Sequence, residues 1–288
     1  MKDQIEITDK NRSQILKTNW INFSIVSVFH AFAIVALFYF SWQNLAVTLI
    51  LNWMVASLGI GIGYHRLLTH RGFKAPKWFE YSLTILGCLA IQDGAIKWVT
   101  THRIHHAHTD TELDPHSPRE GGGYWAHLGW IIRGKAQAHD EAVYARYVPD
   151  LLKDPVHVTL ARYYSVFTIA LAVILFALGG WTMVLWGVFL RTVFGWHSTW
   201  IVNSITHIWG SRRFPTRDDS TNNGLVALFS FGGGWHNNHH AHPASARHGL
   251  TWRELDINWL TICLFKKLGW AKQIRQTVLQ EQNKEKAF

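Results

Sequence analysis

Only two cysteines, Cys88 and Cys263, occur in 288 residues, and they stand far apart with no CxxC pair. That excludes a disulfide framework and a thiolate zinc site. Charge is also scarce: 16% of residues are Asp, Glu, Lys or Arg, against 48% hydrophobic. No Asp or Glu interrupts residues 20–63 or 163–202, which argues against an ordinary soluble surface and against a midplane ion-transport site, where such groups cluster. The net charge of +9 comes without zinc-finger spacing or a basic-aromatic RNA motif, so nucleic acid is not the expected partner. A basic surface toward anionic lipid headgroups or an acidic protein is the better reading.

What is abundant is tryptophan, with 16 residues, and histidine, with 18. Tryptophan in excess suits a membrane–water interface. Four apolar stretches are long enough for a bilayer, which takes about 20 residues: roughly 20–42, 45–63, 163–178 and 181–202. The first pair is joined around Gln43-Asn44 and the second at Gly179-Gly180, so each reads as a tight helical hairpin. Lys and Arg concentrate in the blocks 1–19, 64–160 and 207–288, and Arg191 is the one charge inside a span. The positive-inside rule puts all three blocks on the cytoplasmic side. The N-terminus is polar up to Lys17 without a small-residue cleavage site, so the first apolar segment is expected to stay as an anchor. A fifth apolar run, Trp78 to Ile91, is short and ends at Gln92 and Asp93. If it spanned, the histidines at 65 and 70 would face the opposite side from those at 102–106; it is therefore read as surface-lying or bundle-packed. The expected architecture is one all-α integral-membrane domain over 1–288, with four transmembrane helices in two hairpins and a cytoplasmic helical cap.

The histidines fall into three clusters: His65 with His70, His102 with His105 and His106, and His236 with His239 and His240. Spacings of three and four share one helix face, so each triad can converge on a point. Positions 65 and 70 lie about 140° apart on an ideal α-helix, which predicts that they serve different metals or that the helix ends between them. Asn203 and His207 add an i, i+4 pair at the end of the fourth span. Nine histidines suffice for two metals at four or five nitrogens each. Imidazole suits zinc, copper, iron and nickel, but zinc sites are typically four-coordinate and isolated. A nitrogen-rich pair beside apolar helices fits oxygen activation at iron. His30, His127, His139, His157, His197 and His248 are read as structural or solvated, with His108, His116 and His242 near the clusters. Asp110 and Asp114 are either turn residues or carboxylates that orient ligand imidazoles.

The segments GIGYHRLLTHRGFKA, KWVTTHRIHHAHTDTELDPHS, IVNSITH and GGGWHNNHHAHPASARHGL resemble the membrane fatty-acyl desaturases of the stearoyl-CoA and acyl-lipid Δ9 type. The similarity covers about residues 20–270, and the last segment looks most like the acyl-lipid branch of cyanobacteria and other bacteria. The resemblance implies a di-iron centre on His65, His70, His102, His105, His106, His207, His236, His239 and His240, with Asn203 approaching one iron through water. It implies O2 as co-substrate and a kinked acyl tunnel held by Gln92, Trp98 and Thr199. Trp53 and Ser57 match its closed end, so Trp53→Ala is expected to lengthen the accepted chain. The implied reaction is cis-desaturation, at Δ9, of a C16 or C18 chain on a glycerolipid, with acyl-CoA as the alternative carrier. Electrons would come from a separate ferredoxin or cytochrome b5 type donor, at a plasma or thylakoid membrane if the source is cyanobacterial. Gly233 departs from the pattern, since many relatives carry an acidic residue there. The rival readings are another histidine-box hydroxylase and, from a different class, a metal transporter.

Overall fold

The computed structural model describes residues 17–133 and 136–278. The expected polar blocks at 1–19 and 207–288 thus lie partly outside the described residues. Among those residues the chain is all helical, with isolated bridges and no strand. Helix α1 spans Trp20–Ala36, α2 runs without a break over Trp42–Thr69, α3 covers Lys77–Cys88 and α4 Ala95–His108. Short helices follow, including α5, Trp125–Gly129. Then come α6 over Tyr164–Ile205, α7 over His236–Ala241 and α8 over Ile257–Lys267.

Two of these, α2 and α6, are long and apolar enough to cross a membrane, at 28 and 42 residues; α1 is shorter. α6 is interrupted at Gly179 and Gly180, where Gly180 has φ 66°, a conformation only glycine adopts without strain. The chain folds back there: Leu175 packs against Gly187, whose missing Cβ would sit 2.6 Å from the leucine methyl. The first connection falls at residues 37–41, ahead of the expected turn at Gln43-Asn44. Ser41 fixes it, its hydroxyl accepting from Asn44 N–H at 3.1 Å as the N-cap of α2. Asn44 is therefore buried in the first turn of α2, and its amide donates to Tyr39 O at 3.1 Å.

Large apolar side chains are left uncovered along α1 and the first half of α6, among them Ile21, Ile34, Ile169 and Leu178. A band of that size is an interaction surface; with α2 and α6 it indicates membrane association.

The short run ending at Ile91 explains Arg191. α3 stops inside the bundle, where its last carbonyls need donors. Arg191 Nη1 donates to Leu89 O at 3.0 Å, and Trp196 Nε1 donates to Ala90 O at 3.0 Å. The guanidinium, 1% exposed, sits at the negative end of the α3 dipole rather than on a carboxylate. Immediately beyond, Ile91 and Asp93 have φ of 53° and 64°, rare for non-glycine residues and costly for β-branched isoleucine. That strain is stored on either side of Gln92.

Two arginines, the buried Arg66 and the half-buried Arg103, lock the end of α2 to the rest. Arg66 forks onto Asp256 at 2.8 and 3.1 Å and donates to Ala246 O at 2.7 Å. Asp256 also accepts from Trp259 N–H at 2.9 Å, capping α8. Arg103 grips Asp150 at 2.9 and 3.1 Å while donating to Leu68 O at 2.7 Å, a carbonyl in the last turn of α2.

Candidate metal centre

The second half of α2, Trp53–Thr69, is wider than an α-helix. His70 N–H reaches His65 O, five residues back, at 3.1 Å, the bonding of a π-helix, which is commonest at functional sites. The helix ends at Thr69, between His65 and His70, which is one of the two expected outcomes. In the widened coil a five-residue step returns to the same face, and the two ring centroids lie 4.7 Å apart. α4 presents His102, His105 and His106 from one face. α7 presents His236, His239 and His240, and His207 follows the last turn of α6.

The nine predicted histidines separate into two adjoining groups. His65, His70, His102, His106 and His239 form one, and His105, His207, His236 and His240 the other; in each, one nitrogen per residue lies within 4.8 Å of all the rest. Nε2 of His239 lies 2.9 Å from Nε2 of His106 and 3.1 Å from that of His65. In the second group His207 and His236 meet at 3.0 Å, and His105 and His240 at 3.4 Å. Neutral rings can share one N–H per pair, so converging groups of five and four are not satisfied by each other. A cation accepting all the lone pairs satisfies them, and borderline-soft imidazole donors suit a first-row transition metal. Burial holds His102, His106, His236, His239 and His240 well below the usual histidine range. They are therefore neutral, the form that ligates.

Carboxylates stand behind the second group. Asp114 takes His105 Nδ1 at 2.9 Å and Asp110 takes His207 Nδ1 at 3.0 Å. Each accepts Nδ1–H and turns the Nε2 lone pair inward. Burial alone would raise the Asp110 carboxyl, but His207, Asp219 N–H and Ser117 hold it down to about 2. Asp114 is likewise held low against burial by His105 and His116. Burial disfavours a charged His105, yet Asp114 overrides it and raises that ring. Asp110 has φ 58°, a left-handed conformation that Asp tolerates better than most residues. A third carboxylate, Asp218, accepts His240 Nδ1 at 3.0 Å. Sequence reasoning missed it, because it lies 22 residues from its partner in a polar loop without a motif.

A cleft opens beside the histidines, lined in part by Gln92, Trp98, His102, Thr199, Asn203 and Tyr164. Gln92 bridges its walls: its amide donates to Thr199 Oγ1 at 3.1 Å, and its carbonyl accepts Trp98 Nε1–H at 3.2 Å. Trp98 stacks on His102 at 5.0 Å, linking the cleft to the first group. Gln92 also lines a smaller cavity with Asn52, Val55, Ala56, Arg191 and Thr192.

Trp53 and Ser57 line neither cavity. Trp53 is 40% exposed on the outer face of α2, and the Ser57 hydroxyl donates to Asn258 Oδ1 at 2.6 Å. Ala56 lines the smaller cavity instead, with Asn52, Val55 and Ile60 at helical spacings of three and four. Gly233 carries no contact that a carboxylate would replace: a Cβ there would meet only Ser230 within 3.5 Å. Among the histidines set aside as structural, His157 pairs with Glu80 at 2.9 Å. His30, His197 and His127 form a hydrogen-bonded row at 3.1 and 2.9 Å, ending on Ser204. His248 is buried against His239 with neither ring nitrogen bonded.

Residues 16–259 match the family described as fatty acid desaturase. The sn-2 palmitoyl-lipid 9-desaturase of Nostoc sp. (strain 36) is 46% identical over 88% of this chain and 90% of its own length. The sn-1 stearoyl-lipid 9-desaturase of Anabaena variabilis is 46% identical over 89% of this chain and 94% of its own. Delta-9 acyl-lipid desaturase 2 of Arabidopsis thaliana is 41% identical over 90% and 83%.

Proposed function

The chain belongs to the fatty acid desaturase family, and from that premise we propose that it places a cis double bond at Δ9 in a C16 or C18 chain esterified to a glycerolipid. The observation that carries the reading is the pair of converging imidazole groups beside a cleft whose walls Gln92 bridges. In this reading 1–288 is one membrane domain of four spans in two hairpins, with the histidine-bearing cap on the cytoplasmic side. The turn at Gly179-Gly180 and the uncovered apolar faces of α1 and α6 support that topology.

His65, His70, His102, His106 and His239 would hold one iron, and His105, His207, His236 and His240 the other, with Asn203 approaching through water. Iron with O2 supplies the oxidant that two unactivated C–H bonds demand. The balance is one CH2–CH2 unit, O2, two electrons and two protons giving CH=CH and two waters. The electrons come from a separate donor of ferredoxin or cytochrome b5 type.

The chain's own residues position and exclude. Gln92, held between Trp98 and Thr199, bends the alkyl chain, and a bent chain presents its methylene pair in the eclipsed sense that yields a cis product. Trp98, stacked on His102, seats the bend beside the imidazoles, so regioselectivity follows from distance to the headgroup. Asp110 and Asp114 orient ligand rings. The small cavity beyond Gln92 receives the methyl end, and Ala56 and Thr192 set the chain length accepted. The glycerolipid assignment follows the cyanobacterial relatives. Expression in a host lacking unsaturated fatty acids, with double-bond and glycerol positions mapped by mass spectrometry, tests all of this: a Δ9-cis product on glycerolipid is expected. A hydroxylated product, or metal uptake without new double bonds, would replace the reading.

A further inference from the structure

The two histidine groups differ in what stands behind them. In the group of His105, His207, His236 and His240, three rings give Nδ1 to a carboxylate: Asp114, Asp110 and Asp218, at 2.9–3.0 Å. The first two carboxylates are fully buried and the third nearly so, with side-chain exposures of 0%, 0% and 12%. They are also tied together. Asp110 N–H donates to Asp114 Oδ2 at 2.9 Å, and Asp219 N–H, next to Asp218, donates to Asp110 Oδ2 at 2.8 Å. Asp218 Oδ1 is occupied by Thr216 Oγ1 at 2.9 Å and Ser220 N–H at 3.0 Å, which leaves Oδ2 aimed at His240.

The five-ring group has nothing comparable. Among the described residues no carboxylate lies within 4.0 Å of a ring nitrogen of His65, His70, His102, His106 or His239. The ionised groups flanking it on α2 and α4 are cations, Arg66 and Arg103, whose forks are spent on Asp256 and Asp150. Nδ1 of His239 is buried without a partner, and so is Nε2 of His70. No hydrogen bond on Nδ1 therefore sets the tautomer of His239, whose Nε2 meets only other imidazoles of the group.

Two effects compete for a metal ion. The first group offers one more imidazole. The second offers three negative charges relayed through its rings, three preset tautomers and less reorganisation. Losing one outer-sphere partner typically costs 10–100-fold in metal affinity, and three such partners outweigh one extra neutral donor. Building on the two-metal reading above, we propose that the centre is asymmetric: the group of His105, His207, His236 and His240 is the tight site and fills first. Asp218 is a positioning residue of that site, acting through His240, and the five-histidine site fills second and more weakly.

The test is metal titration of the full chain, purified in detergent, stripped with a chelator and titrated anaerobically with Fe2+ or Co2+. Two binding steps are expected, the first at least about tenfold tighter. Asp218→Asn should weaken the first step about 10–100-fold and leave the second in place, with Asp218→Glu recovering part of the loss. His70→Ala should remove the second step and spare the first. One equivalent of 57Fe should give a single Mössbauer quadrupole doublet, unchanged in His70→Ala. If Asp218→Asn does not fold, the wild type and His70→Ala still decide the order. Two equal steps, loss of the first step in His70→Ala, or an Asp218→Asn effect on the second step alone would overturn the proposal. Uptake of fewer than two ions would overturn the two-metal reading, and this inference with it.

Discussion

Replacing Gln92 with leucine tests how the cleft is organised. The hydrogen-bond accounting at that residue is closed. Gln92 donates to Thr199 Oγ1, Thr199 donates onward to Gly195 O at 3.2 Å, and Trp98 donates to the Gln92 carbonyl. In Gln92→Leu the Thr199 hydroxyl keeps its acceptor, so the one group stranded is Trp98 N–H. An unsatisfied buried donor costs about 1–3 kcal/mol. Trp98 can avoid it only by rotating off the His102 ring on which it stacks. If that cost falls on positioning the methylene pair, the rate drops about 5- to 150-fold, at a factor of ten per 1.36 kcal/mol. The double bond should also spread to neighbouring carbons. Gln92→Glu keeps an acceptor for Trp98 and should stay within about fivefold of wild type. Metal content should not change in either variant, since Gln92 touches no histidine ring. Fatty-acid methyl esters resolved by gas chromatography, with double bonds located by mass spectrometry, give rate and position together. An unchanged rate and position in Gln92→Leu would refute the assignment of the bend to this residue.

Other perturbations follow from the same contacts. Trp53→Ala should leave the product chain length unchanged, whereas Ala56→Phe should shift it toward shorter chains; the reverse pattern in lipid analysis would put the closed end back at Trp53. Removing one partner of the buried Arg66–Asp256 fork, as in Asp256→Ala, should cost about 3–5 kcal/mol, read as a lower melting temperature in detergent; a melt within 1–2 °C of wild type, on the order of a few tenths of a kcal/mol, would count against it. Asp154 caps the helix Pro155–Arg162 through Val156 N–H at 3.0 Å. Partial burial works against its ionisation, but Lys77, Tyr81 and that N–H hold its carboxyl down to about 2. A depressed carboxyl stabilises the fold above its unfolded value and loses that contribution as pH falls toward the folded value. Asp154→Ala should therefore cost about 1–2 kcal/mol at pH above about 4, and the difference should vanish between about pH 4 and 2; a pH-independent difference in melting would contradict it.

The histidine centre was largely legible because its spacing follows helix geometry: His102, His105 and His106, and His236, His239 and His240, need only a helix to converge. The helix end between His65 and His70 was legible, but the α-helical angle does not register that the stretch widens to five-residue bonding, as His70 N–H to His65 O shows. Trp53 and Ser57 were placed by resemblance alone, and neither lines the two cavities that Gln92 adjoins. The short run before Gln92 is a 12-residue helix with a buried face, which fits its reading as bundle-packed, but its partner was not legible. That Arg191 caps α3 from a helix about a hundred residues away, 102 in the bonded pair, is a long-range contact that periodicity does not carry. Asp218 and the row of His30, His197 and His127 were invisible for the same reason. The first hairpin turn shifted because Ser41 outcompetes Gln43-Asn44 as a helix start, a local capping preference that apolar run length does not register.

The central claim is that nine histidines hold two irons which desaturate an acyl chain. Its most direct test is iron analysis on purified wild type and His239→Ala, paired with product analysis of the same preparations. His239 lies within 3.1 Å of both His65 and His106, at the heart of the five-ring group. Wild type should carry two irons per chain and form the double bond; His239→Ala should fall to one iron and form none. Two irons retained with full activity in His239→Ala, or a product formed by wild type without iron, would contradict the account.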